Sequence, residues 1–183
     1  MQANKYFPFF LAIALSLSLS CINIGQADDA TVTKVCSKVT DQTKSLCNQT
    51  LSSLGNSCGP DDLKCKGIIV NKLAINATTY LKAVAKNSSI KSCASHCGSA
   101  IAYLKQCNDY WKNKSVWSKT SPGNTTSKMN KSNLVTYAGG ADTFLDTCDD
   151  ESLGKSVNFT VASDQAKGLI NVELAIANLL ATF

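Results

Sequence analysis

The chain has 183 residues with a net charge of +5, carried by 18 lysines against 13 acids; it contains no arginine, nine cysteines and 44% hydrophobic residues. Without arginine forks it lacks bidentate readers of phosphate or base edges, and its lysines are dispersed, so nucleic acid is excluded as a partner. A mildly basic chain is instead drawn at low salt to polyanions such as acidic polysaccharides, or to an acidic protein surface.

Residues 1–27 have the pattern of a secretory signal: Lys5 precedes an apolar run from Phe7 to Leu19, and Gly25-Gln26-Ala27 ends in small residues. The run is shorter than the about 20 residues a membrane span needs, and no later segment is apolar enough, so no membrane is expected. Cleavage after Ala27 leaves one domain, 28–183, lowers the net charge to +4 and removes Cys21. Eight cysteines remain: Cys36, Cys47, Cys58, Cys65, Cys93, Cys97, Cys107 and Cys148. In a secreted chain an even count argues four disulfides, among 105 possible connectivities. A zinc site is the weaker reading, because His96 is the only histidine and oxidised cysteines supply no thiolates. Seven Asn-X-Ser/Thr sequons, at Asn48, Asn76, Asn87, Asn113, Asn124, Asn130 and Asn158, fit a glycosylated extracellular protein.

Residues 28–58 hold two short helical patterns, Val32, Val35, Val39 and then Leu46, Thr50, Leu51, Leu54, with one cysteine in each. A Cys36–Cys47 bridge would staple them into a hairpin, worth roughly 3 kcal/mol in the loop-entropy model. The bundle expected over 59–183 starts at Pro60-Asp61-Asp62, with proline in the first turn and two carboxylates facing the positive end of the helix dipole. Val70, Leu73, Ala77, Tyr80 and Val84 then mark a helix of about 25 residues, roughly 37 Å long. Because that length separates Cys58 and Cys65 from Cys93 and Cys97, the spacing favours local pairs, Cys58 with Cys65 and Cys93 with Cys97. A bridge across four residues fits a regular helix poorly, so such a pair predicts an irregular helix start or one after Cys97.

The central pattern is Cys93, Cys97, Ala100, Leu104, Cys107, Trp111: steps of four and three that place all six on one helical stripe, in a helix running to about Ser118. A turn over Ser121–Ser127 precedes a third long pattern, Leu134, Ala138, Ala141, Leu145, Cys148, in which Gly139-Gly140 predicts a bend or a close helix contact. After a loop at Asp149–Asn158, the last helix carries Ala162, Ala166, Leu169, Glu173, Ile176 and Leu180. The sum is an all-α fold, an up-and-down antiparallel four-helix bundle with an N-terminal disulfide-stapled helical hairpin.

Catalytic equipment is thin. His96 reads as a capping or surface residue. Glu151 and Glu173 lie in different elements, and Asp149, Asp150 and Glu151 read as a solvated helix cap. No G-x-S-x-G, Gly-rich phosphate loop or H-E-x-x-H occurs. The chain therefore reads as a binder and not an enzyme, with no cofactor.

The hairpin cysteines, then Cys107 before Asp109-Tyr110, then Thr147-Cys148-Asp149, with the aliphatic end Ala175-Ile176-Ala177-Asn178-Leu179-Leu180, resemble the plant invertase and pectin methylesterase inhibitor family. The resemblance spans essentially the whole mature chain. It implies Cys36 paired with Cys47 and Cys107 with Cys148, the latter tying the second and third bundle helices. It further implies a secreted, cell-wall protein that occludes the cleft of a carbohydrate enzyme in a stoichiometric complex. The Pro-Lys-Phe tripeptide of invertase-type inhibitors has no counterpart, the comparable stretch reading Asn130-Lys131-Ser132-Asn133, which favours pectin methylesterase as the partner over invertase. The expected contact surface is the exposed side of the second and third helices, with Asp109, Lys112, Lys131 and Asn133. The second reading is an extracellular helical protein carrying a lipid or signalling ligand in an apolar hollow.

Overall fold

A computed structural model describes residues 30–55, 57–59, 62–113, 125–150 and 156–181, with the backbone alone for 125–131. The leader, Pro60-Asp61, Asn124, Glu151 and the side chains of Asn130 and Lys131 lie outside the described residues. Six helices follow in order: α1 (Ala30–Cys36), α2 (Asp41–Ser53), α3 (Leu63–Asn87), α4 (Lys91–Lys112), α5 (Thr125–Asp150) and α6 (Val157–Ala181). The described residues form no strand. The last four helices close a ring in which α3 packs on α4, α4 on α5, α5 on α6 and α6 on α3. The α1/α2 hairpin lies against α6. This is the expected antiparallel bundle with an N-terminal hairpin.

Local chemistry sets the helix ends. Asp62 caps α3, its Oδ1 accepting the Cys65 N–H at 2.7 Å, so the helix starts after the Pro60-Asp61 pair instead of on it. At the other end the Ile90 N–H reaches Ala85 O at 2.9 Å and the Ser89 N–H reaches Lys86 O at 3.2 Å, a Schellman stop with Ser89 left-handed at φ 60°. Ser156 caps α6 through its Oγ to the Phe159 N–H.

The stripe expected of α4 is the buried stripe observed, joined by Ala94, and Leu134, Ala138, Ala141, Leu145 and Cys148 of α5 are likewise buried. On α3 the stripe is rotated. Leu73 is 38% exposed, while Lys66, Gly67, Asn71 and Thr78 are buried, so three polar side chains occupy places that an apolar count passes over. Gly67 is required there: a Cβ would fall on the Trp111 ring, 2.6 Å from Cζ2. Helix α5 runs through Gly139-Gly140, and the close contact is at Gly140, where a Cβ would lie 2.5 Å from Tyr103 Cε1. Helix α4 ends at Lys112, six residues before Ser118.

Cys36–Cys47 and Cys58–Cys65 are bridged as expected, each with Cα atoms 5.7 Å apart. The other pairings differ. Cys148 is bonded to Cys93, not to Cys107, and Cys97 and Cys107 are buried free thiols, so the described residues form three disulfides and not four. Register is the reason. Two antiparallel helices bring together positions equidistant from their connection, and Cys148 at the end of α5 meets Cys93 at the start of α4. Cys107 lies 14 residues beyond Cys93, about 21 Å along the axis. Its neighbour is Leu134, 14 residues before Cys148, whose carbonyl is 3.8 Å from Cys107 Sγ. The expected Cys93–Cys97 pair is absent too, and α4 accordingly begins regularly at Lys91 with both cysteines inside it.

Candidate functional site

His96, Tyr103 and Tyr110 stand seven residues apart on α4, and Tyr137 and Phe144 seven apart on α5. Seven residues are two helical turns, so each set forms a row, and the antiparallel helices mesh the two rows. The order along the seam is His96, Phe144, Tyr103, Tyr137, Tyr110, with successive ring centroids 6.2, 5.4, 5.5 and 5.7 Å apart. Both Tyr103 contacts are edge-on, whereas His96 lies over Phe144 and Tyr110 over Tyr137 in stacked fashion. All five are half-buried, each one position before a fully buried residue of the core stripe. The seam thus leaves each of its five rings partly open to solvent.

Asn133 donates from Nδ2 to Tyr110 Oη at 3.2 Å, and Asp109 and Lys112 are exposed beside Tyr110, so three of the four expected contact residues gather at one end of this strip. The Lys131 side chain lies outside the described residues. His96 is half-buried against Phe144 in the second turn of α4, past the N-cap position, which Ile90 holds. The rings escaped the sequence reading, though the heptad spacing of aromatics beside the core stripe was there to be read.

At the acidic end of α5, Asp150 is exposed as expected of a solvated cap, but Asp149 is part of a clamp. Asp149 accepts from Ser163 Oγ at 2.6 Å and Lys167 Nζ at 3.0 Å, and Lys167 also meets Asp146 at 2.6 Å. Burial alone would lower the Lys167 pKa, but hydrogen bonds to Asp146 and Asp149 outweigh it and hold the ammonium above its usual range. Asp142, one turn before Asp146, is pushed up to about 6 by burial and by the charge of Asp146.

Deeper in the bundle, Glu173 is fully buried on α6. Its Oε1 accepts from Asn71 Nδ2 at 2.9 Å and Trp111 Nε1 at 2.8 Å, and Asn71 Nδ2 also reaches Leu104 O at 2.9 Å. Burial, and then the same carboxylate that it faces, push the Cys107 thiol well above its usual range. Burial pushes Glu173 itself up to about 7, against the pull of Trp111, Asn71 and Cys107. Its Oε2 and Asn71 Oδ1 have no hydrogen-bond partner. A glutamate on an otherwise aliphatic stripe, facing an asparagine on another, was the sequence signal for this centre.

Of the sequon asparagines, Asn48, Asn76, Asn87 and Asn158 are exposed on α2, α3 and α6, and Asn113 is exposed at the foot of α4. The first four positions leave the α4/α5 seam uncovered. Three disulfides fit an oxidising compartment, and no helix among the described residues is long and apolar enough to cross a membrane. Neither family models nor curated proteins return a match to this chain.

Proposed function

We propose that this is a secreted, non-enzymatic inhibitor that lays its α4/α5 face over the active-site cleft of a cell-wall carbohydrate enzyme, a pectin methylesterase in preference to an invertase. The observation that carries the reading is the meshed strip of five half-buried rings on a rigid, disulfide-tied helix pair, bordered by Asp109, Lys112 and Asn133. Tyrosine supplies large contact area at little entropic cost, and such residues dominate binding energy when surrounded by polar neighbours that exclude water. A face of this kind burying about 800 Å² is a standard interface. The stapled hairpin also supports the resemblance, whereas the bridge between the second and third bundle helices departs from it, using Cys93 in place of Cys107.

The carrier reading asks for an apolar hollow. The groove of about 340 Å³ beside the hairpin is lined by Lys38, Asn171, Leu174, Ala175, Asn178 and Leu179, half of them polar, which gives a lipid little to hold. Titration of purified protein against a secreted pectin methylesterase and an acid invertase tests the proposal. Stoichiometric loss of methylesterase activity is expected, with Tyr137→Ala weakening it at least about tenfold and Lys112→Glu slowing association at low salt. No inhibition of either enzyme at molar excess overturns it.

A further inference from the structure

At the opposite end of α4 from the Glu173 centre, three sulfurs meet. Cys93 and Cys148 form the disulfide between α4 and α5, and Cys97, one turn along α4, keeps its thiol. Cys97 Sγ is 3.9 Å from Cys93 Sγ, and the three Sγ atoms lie within 4.8 Å of one another. All three residues are sealed from solvent. They belong to the same core cluster as Leu81, Leu145 and Phe159, and the charged groups acting on Cys97 are Lys82 from α3 and Asp149 from α5, the latter paired with Lys167 of α6.

We propose that Cys93, Cys97 and Cys148 form an exchangeable triad in which Cys97 and Cys93 trade places in the bridge to Cys148. The Cys97 sulfur, once deprotonated, attacks Cys148 Sγ; a Cys97–Cys148 bond forms, the Cys93–Cys148 bond breaks, and Cys93 leaves as a thiolate that takes up the proton. One disulfide and one thiol enter and leave, so no oxidant or reductant is needed. Steps of three and four keep Cys93 and Cys97 on one face of α4, so either can reach α5 while the helices keep their packing. Burial holds the thiol up at about 11, which makes the exchange slow at neutral pH and shields it from external thiols. The consequence is a helix tie with two anchor points, which survives loss of one of them.

Alkylation mapping of the full secreted chain tests this. In Cys93→Ser, a Cys97–Cys148 cross-linked peptide is expected, and only Cys107 takes label after unfolding. Recovery of Cys97, Cys107 and Cys148 all labelled from a folded Cys93→Ser protein overturns the proposal. Should that variant not fold, the native chain decides: it is held without reductant at mildly alkaline pH, quenched in acid, unfolded and alkylated. Label divided between Cys93 and Cys97, with Cys107 fully labelled, is the expected result. Label confined to Cys97 and Cys107 after prolonged incubation overturns the exchange.

Discussion

Cys97 and Cys107 lie on the same stripe of α4, both sealed from solvent and both without a bridge, yet one faces a disulfide and the other a carboxylate. The periodicity that buries a cysteine is blind to what it is buried against. Around Cys97 the packing is aliphatic and aromatic, with cohesion supplied by the Cys93–Cys148 bond. Around Cys107 it is supplied by Trp111 and by a polar knot of Asn71 and Glu173 that joins three helices. Stapling and hydrogen bonding are therefore divided between the two ends of one helix, and perturbing each end in turn shows how the load is shared.

The largest effect belongs at the Cys107 end. Trp111→Ala removes the largest fully buried side chain and leaves the Glu173 carboxylate short of a donor, a loss of about 4 to 5 kcal/mol in denaturant unfolding. A loss near 1 kcal/mol would place the cohesion of this end elsewhere. At the other end, Cys148→Ala opens a loop spanning 55 residues and should cost about 4 kcal/mol, more than the roughly 3 kcal/mol for opening Cys36–Cys47. Equal melting temperatures for Cys148→Ala and Cys36→Ala would contradict the long-range tie.

Third in size is pH. Between 4.5, the ordinary glutamate value, and about 7, the folded chain holds a proton on Glu173 that the unfolded chain has released. Stability from this group is thus complete below pH 4.5 and declines as pH rises to about 7, by roughly 3 to 4 kcal/mol at about 1.4 kcal/mol per unit. Asp142, also raised, adds a smaller slope of the same sign that ends near pH 6. In chemical denaturation across this range Glu173→Gln should be flatter than the parent and more stable than it above pH 7; an unchanged slope would exonerate Glu173. The smallest effect is that of Cys97→Ala, about 1 kcal/mol from lost packing, since its sulfur bears no tie in the resting bridge.

The fold was legible because the α4 and α5 stripes repeat at helical spacing without interruption, although α5 already begins at Thr125, inside the stretch expected to be a turn. What the stripes do not encode is height along the axis. Cys107 and Cys93 occupy the same face, so face alone cannot choose a partner for Cys148, whereas distance from the turn can. The α3 stripe was misread because Asn71 and Lys66 count as polar in any hydropathy sum although the fold buries them. The aromatic strip went unseen for a related reason. Tyr103, Tyr110, Tyr137 and Phe144 each sit one place off the core stripe, where a search for the core stops looking.

Trp111 has one more consequence. The chain contains two tryptophans, and this one is fully enclosed with its indole N–H on the carboxylate whose proton varies with pH. An indole's emission responds to a charge placed at its nitrogen. With Trp117→Phe leaving Trp111 as sole emitter, the ionisation of a single group in the middle of the bundle becomes readable in a fluorimeter, without a label and without unfolding the protein.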